Sequence, residues 1–173
     1  EDSAGNENGE TLTISVDNTY PFLTSSDLSS SVISPITTVG YLDDLTITMN
    51  ANELVDWGTV YVYNSVGNKV FRDQFLPDWV LSNIVIWNGQ YHPDYGIGNV
   101  PDGIYTIDIT TTLNKALEDS AGNINSSISL GNITVDNTIP ILSNIQATSI
   151  TTSSESITWT TNENTNSSVY YGT

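Results

Sequence analysis

Glu118-Asp119-Ser120-Ala121-Gly122-Asn123 repeats, residue for residue, the opening Glu1-Asp2-Ser3-Ala4-Gly5-Asn6, and Val135-Asp136-Asn137-Thr138 repeats Val16-Asp17-Asn18-Thr19. Each copy then reaches a proline, Pro21 or Pro140. The offset is 117 residues for the first block and 119 for the second, so the two copies differ by two residues in the stretch between. A repeat of that period is the length of one domain, and it marks the same module end met twice.

Between the copies the apolar pattern has period two, which sends successive side chains to opposite faces of a strand. Leu45, Ile47 and Met49 alternate with Thr46, Thr48 and Asn50, and Tyr105, Ile107 and Ile109 alternate with Thr106, Asp108 and Thr110. Val60 and Val62 lead into the turn-forming Asn64-Ser65-Val66-Gly67-Asn68, which predicts a hairpin returning over Lys69 to Phe75. Ile84-Val85-Ile86-Trp87 is a continuous apolar run, expected to be buried. Ile128 and Leu130 lie on one parity and Ile133 and Val135 on the other, so Gly131 is expected at a β-bulge. No segment has helical periodicity beyond a single turn over 113–118. Short strands punctuated by Gly, Asn, Asp and Pro predict an all-β fold of immunoglobulin-like β-sandwich modules in tandem. The expected divisions are residues 1–17 as the last strand of a preceding module or a donor strand, 18–137 as one complete sandwich, and 138–173 as the first strands of a following one. The connector Asp136-Asn137-Thr138-Ile139-Pro140 is short and proline-stiffened, which predicts modules set end to end.

Composition bounds the function. Only 13% of the 173 residues are charged, yet Asp and Glu number 20 against three Lys and Arg, for a net charge of −17. Lys69, Arg72 and Lys115 are the whole basic complement, so no cationic surface exists to bind nucleic acid or anionic lipid. The chain has no Cys, which removes disulfides, thiolate catalysis and Cys-ligated zinc together. No apolar run reaches the ~18–20 residues of a membrane span.

Trp87-Asn88-Gly89, Val100-Pro101-Asp102-Gly103-Ile104-Tyr105 and Asp119-Ser120-Ala121-Gly122-Asn123, in that order, resemble the prokaryotic Ig-like module found in the flagellar hook-capping protein and in many bacterial and archaeal surface proteins. The resemblance covers about residues 40–138, with Asn88 where that family carries an acidic residue and a longer connection over 76–100. Ile157-Thr158-Trp159-Thr160-Thr161 and Ser168-Val169-Tyr170-Tyr171-Gly172-Thr173 are similar to the first strands of a fibronectin type III domain. Both resemblances imply scaffolding, adhesive or spacer modules rather than an enzyme. They lead to the expectation of a structural component of the extracellular cell surface, such as a surface-layer protein, an adhesin stalk or a filament subunit, partnered by copies of itself or by adjacent Ig-like modules. The alternative is an accessory spacer or carbohydrate-binding module of a secreted hydrolase.

The candidate chemistry is sparse. His92 is the only histidine, so a zinc site or a Ser-His-Asp triad would have to be assembled around one loop. Asp43 and Asp44 are adjacent and would point to opposite faces of a strand, which does not suit a glycosidase pair. Tyr91, Tyr95, Trp79 and Trp57 are candidates for stacking on glycans. Calcium, which takes six to eight oxygen ligands, is the cofactor expected at the module ends. Its candidate ligands are Glu118, Asp119, Asn123, Asp136 and Asn137, with Asp2, Asn6, Asp17 and Asn18 in the first copy. The competing reading is that Asp119 and Asp136 cap local backbone amides. Asn125-Ser126-Ser127, Asn132-Ile133-Thr134 and Asn166-Ser167-Ser168 are candidate N-glycosylation sites.

Overall fold

The computed structural model describes residues 3–5, 7, 9–36, 40, 42–75, 81–110 and 115–171. Among them the chain is all-β: β1 (Leu23–Leu28), β2 (Val32–Ile33), β3 (Leu45–Ala51), β4 (Trp57–Tyr63), β5 (Lys69–Phe75), β6 (Ser82–Trp87), β7 (Gly103–Ile109), β8 (Lys115–Glu118), β9 (Ile124–Ser126), β10 (Ile128–Val135), β11 (Leu142–Thr148) and β12 (Ser156–Thr161). One sheet has the order β1-β3-β6. The other runs β2-β10-β7-β4 with β5 beyond β4, and β8 and β9 prolong it beside the start of β4. The chain crosses between the two sheets after β1, β2, β3, β5 and β6, which forces their inner faces together.

Alternation decides what those faces carry. Leu45, Ile47 and Met49 of β3 with Val85 and Trp87 of β6 meet Val60 and Val62 of β4, Tyr105, Ile107 and Ile109 of β7, and Ile133 and Val135 of β10 in one buried cluster. That is a two-layer sandwich, with each large side chain removed from water contributing ~1.5–3 kcal/mol. Trp87 is fully buried, donates its Nε1–H to the Gln90 carbonyl at 2.9 Å and meets the Tyr105 ring edge-on at 5.5 Å. The Tyr105 hydroxyl donates to the Pro101 carbonyl at 2.6 Å, so neither aromatic buries an unpaired donor.

Two local features follow the sequence pattern closely. The β4–β5 hairpin turns on Asn64, whose side-chain oxygen accepts from the amides of Val66 and Asn68. The β7–β10 register shifts between Ser129 and Gly131, and Gly131 sits at φ +123°, the bulge its phase change requires. Two others depart from it. Val85 and Trp87 are buried but Ile84 and Ile86 are each 58% exposed, because they lie on the outer face of their sheet, which no layer covers among the described residues. The part of 113–118 that is described, Lys115 to Glu118, is a strand drawn into the ladder beside β4.

Outside the sandwich, β11 and β12 form a two-stranded antiparallel sheet. Residues 9–20 carry no strand, and Leu12, Ile14 and Val16 are 82%, 73% and 76% exposed.

Candidate functional site: the acidic turn and the two connectors

The chain between β8 and β9 must reverse within a few residues, and Asp119-Ser120-Ala121-Gly122-Asn123 does so around its own carboxylate. The Asp119 amide donates to the Asn123 carbonyl and the Gly122 amide to the Asp119 carbonyl, both at 3.1 Å, with Gly122 at φ +85°. Asp119 Oδ1 accepts from the Asn123 amide and Oδ2 from the Asn123 side chain, both at 2.8 Å. Burial pushes the Asp119 carboxyl up, but the Asn123 side chain and the backbone amides of Asn123, Ala121 and Gly122 outweigh it and hold the group below the usual carboxylate range.

That turn gathers the first connector. Asn123 Nδ2 also donates to the Asp17 carbonyl at 3.1 Å, and Asn125 Nδ2 to the Pro21 carbonyl at 2.9 Å. Glu53 arrives from the end of β3, steadied by Asn52 Nδ2 at 2.8 Å. Carboxylate oxygens of Asp17, Glu53 and Asp119 then all lie within 4.8 Å of one another. Three carboxylates at that separation repel, and a hard cation is the counter-species that suits them.

The five residues named from the second copy do not share one place. Asp119 and Asn123 precede β9 whereas Asp136 and Asn137 follow β10, so at ~3.3 Å per residue the two pairs are on the order of 35–40 Å apart. One ion cannot take both. Glu118 lies in β8, its carbonyl accepting from the Asp56 amide at 2.8 Å. Asp2 and Asn6 are outside the described residues.

Asp136 and Asn137 instead organise the second connector. The Thr138 amide donates to Asp136 Oδ1 at 3.2 Å, as the Thr19 amide does to Asp17 Oδ1 at 3.0 Å, so the repeated Val-Asp-Asn-Thr makes the same turn twice. Asn137 Oδ1 accepts from the Ile36 amide at 3.1 Å. Asp102 reaches across from the start of β7, with Oδ1 accepting from the Asn137 amide at 2.8 Å and Oδ2 from the Thr138 hydroxyl at 2.6 Å. The Thr138 hydroxyl, ahead of the other bonds, holds Asp102 below the usual carboxylate range.

Sequence reading missed a pair of asparagines that treat the two connectors alike. Asn52 Oδ1 accepts from the Phe22 amide at 2.6 Å, its own amide donates to the Phe22 carbonyl at 3.1 Å, and Nδ2 points at the Tyr20 carbonyl at 3.5 Å. Asn162 does the same to Ile141 and Ile139, at 2.6, 3.4 and 3.5 Å. Leu23 pairs with Ala51 in β1–β3 and Leu142 with Thr161 in β11–β12, each antiparallel pair with a register shift just beyond. The signal was present: Asn52-Glu53 after one alternating strand and Asn162-Glu163 after another.

The remaining candidates sit apart. His92 Nδ1 accepts from the Asp94 amide at 3.2 Å, and Asp94 is paired with Arg72 at 2.7 Å, so the histidine belongs to a loop-closing network. Tyr91 packs on the core, Tyr95 against the His92 ring, and Trp57 is 42% exposed; Trp79 is outside the described residues. Asn132 accepts from the Thr106 hydroxyl, the Asn125 amide nitrogen is engaged with Pro21, and Asn166 is exposed. No protein-family model and no curated protein matches the chain.

Proposed function

We propose that this chain is a non-enzymatic structural segment of an extracellular surface assembly, a run of Ig-like sandwiches joined by short proline connectors. The observation that carries the reading is the duplicated junction: the same Val-Asp-Asn-Thr turn, the same proline, and the same asparagine bonded to the residues on either side of it. A connector built twice to one pattern is what a repetitive, load-transmitting architecture requires. Two further features support the Ig-like reading. The small strand β2 pairs parallel to β10 while the remaining ladders are antiparallel, and the Tyr105 hydroxyl closes back on Pro101 four residues upstream, as in the tyrosine corner of such sandwiches.

Within that reading, β11–β12 begins a further sandwich, with its connector bonded as that of the central one. Calcium is the cation proposed for Asp17, Glu53 and Asp119, where it would join a residue of the connector to two of the module that follows. The acidity of the surface, with few bases to answer it, fits a medium rich in cations. The carbohydrate-binding alternative draws less support, because Tyr91 and Tyr95 are engaged by the core and the His92 loop.

Cell-surface location is tested by labelling intact source cells with an antibody raised against residues 18–137, before and after protease shaving. Labelling of intact cells that shaving removes is the expected result. Labelling only after lysis would overturn the proposal.

A further inference from the structure

The second connector leaves almost no free chain between the sandwich and the β11–β12 sheet. On the sandwich side the Asp136 amide donates to the Ile33 carbonyl at 3.0 Å, the Asn137 side chain accepts from the Ile36 amide, and Asp102 takes the Asn137 amide and the Thr138 hydroxyl on its two oxygens. On the far side Asn162 Oδ1 accepts from the Ile141 amide, the Asn162 amide donates to the Ile141 carbonyl, and Nδ2 faces the Ile139 carbonyl. Between these clamps stands Pro140, whose ring fixes its own φ and confines the preceding residue to extended backbone. The unconstrained torsions reduce to those linking Thr138 to Ile139, about two soft dihedrals.

We infer that this junction confines the sandwich and the following unit to a narrow range of relative orientations, so that the chain acts as a stiff strut, and that Asp102 is the residue that positions it. A proline linker held at neither end still swivels about the torsions on both sides of the ring. Here the swivel is blocked on the sandwich side by a bidentate carboxylate, and a charged acceptor makes stronger hydrogen bonds than a neutral one. Asp102 belongs to the Pro101-Asp102-Gly103 entry to β7, where a turn residue would satisfy its own neighbours. It reaches instead to residues 35 and 36 positions away. The stiffness rests on contacts within this chain, and it holds or fails independently of where the protein resides in the cell.

The chain has no cysteine, so two introduced thiols label it uniquely. Ser65 in the β4–β5 turn and Ser153 in the β11–β12 turn are exposed positions on either side of the junction. With nitroxides on Ser65→Cys and Ser153→Cys, pulsed dipolar spectroscopy is expected to give a single narrow distance distribution, and Asp102→Ala at least a twofold broader one. Thr138→Val, which deletes only the hydroxyl that Asp102 Oδ2 accepts from, is expected to broaden it partly. Near-ultraviolet circular dichroism, to which the buried Trp87 and Tyr105 contribute, reports whether the sandwich stays folded, and should Asp102→Ala unfold it, Thr138→Val decides. A distribution already broad in the parent, or equally narrow in every folded variant, would overturn the inference.

Discussion

Asp119 and Asp102 are carboxylates whose work is to be ionised. Burial raises the first and disfavours its charge, yet the four donors folded around it win, so its proton affinity in the folded chain drops below the ordinary value of 3.8. Asp102 is depressed too, by the Thr138 hydroxyl first. A group depressed on folding contributes stability that is fully present above its unfolded value and is lost as pH falls through the folded one. Stability is therefore expected to be insensitive to these two groups from neutrality down to about pH 4 and to fall below it. Asp119→Asn should lower the urea midpoint at pH 7, since its amide would face the Asn123 side-chain donor, and should also shallow the loss between pH 4 and 2. Midpoints measured across that range check both parts. At this scale the sequence was only half legible. Trp87 and Tyr105 announce a core by size and parity, but the partner of a polar side chain lies wherever the fold brings it. Asn52 bonds residues 30 and 32 positions earlier, and no local pattern encodes that.

At the scale of elements, period-two alternation carried most of the fold, and it failed where apolar residues occupy both faces. In β3, and in β7 from Tyr105 onward, the outward face is Thr, Asn and Asp, so inward and outward are distinguishable from sequence. In β6 the run Ile84-Val85-Ile86-Trp87 reads as buried throughout, but an edge strand in a two-layer sandwich has only one face to bury. The β8 segment was obscured for a different reason: four residues are too few for any period to register. The contrast inside β6 yields a sharp expectation. Trp87→Ala should cost ~3–5 kcal/mol, as a large side chain removed from a packed core does. Ile86→Thr, one position away on the solvent face and opposite Thr46 of β3, should change stability by no more than about 0.5 kcal/mol. Chemical denaturation of the two variants checks the pair, and comparable losses would mean that the outer face of this sheet is covered in solution.

Charge is a property of the whole molecule, and here it is distributed unevenly. Lys69 lies over the Tyr61 ring at 3.8 Å and Arg72 is paired with Asp94, both on β5 or the loop that packs against it, while carboxylates gather at the acidic turn and the connectors. With a net charge of −17 the compact state repels itself, so any salt should stabilise it by screening, over a Debye length of about 10 Å at 0.1 M. Screening and ion binding therefore both predict stabilisation by calcium, and they separate only at constant ionic strength. If Asp17, Glu53 and Asp119 hold calcium, exchanging sodium for calcium at fixed ionic strength should raise the melting temperature of the parent chain. The gain is about 2.7 kcal/mol at a hundredfold excess over the dissociation constant, and chelator should reverse it. Glu53→Gln removes one ligand charge and leaves Asp119 and its turn alone. It should abolish most of the calcium response while keeping the sodium response of the parent. An identical calcium response in both chains, equal to that of any divalent salt, would assign the whole effect to screening and leave the three carboxylates as a solvated acidic edge.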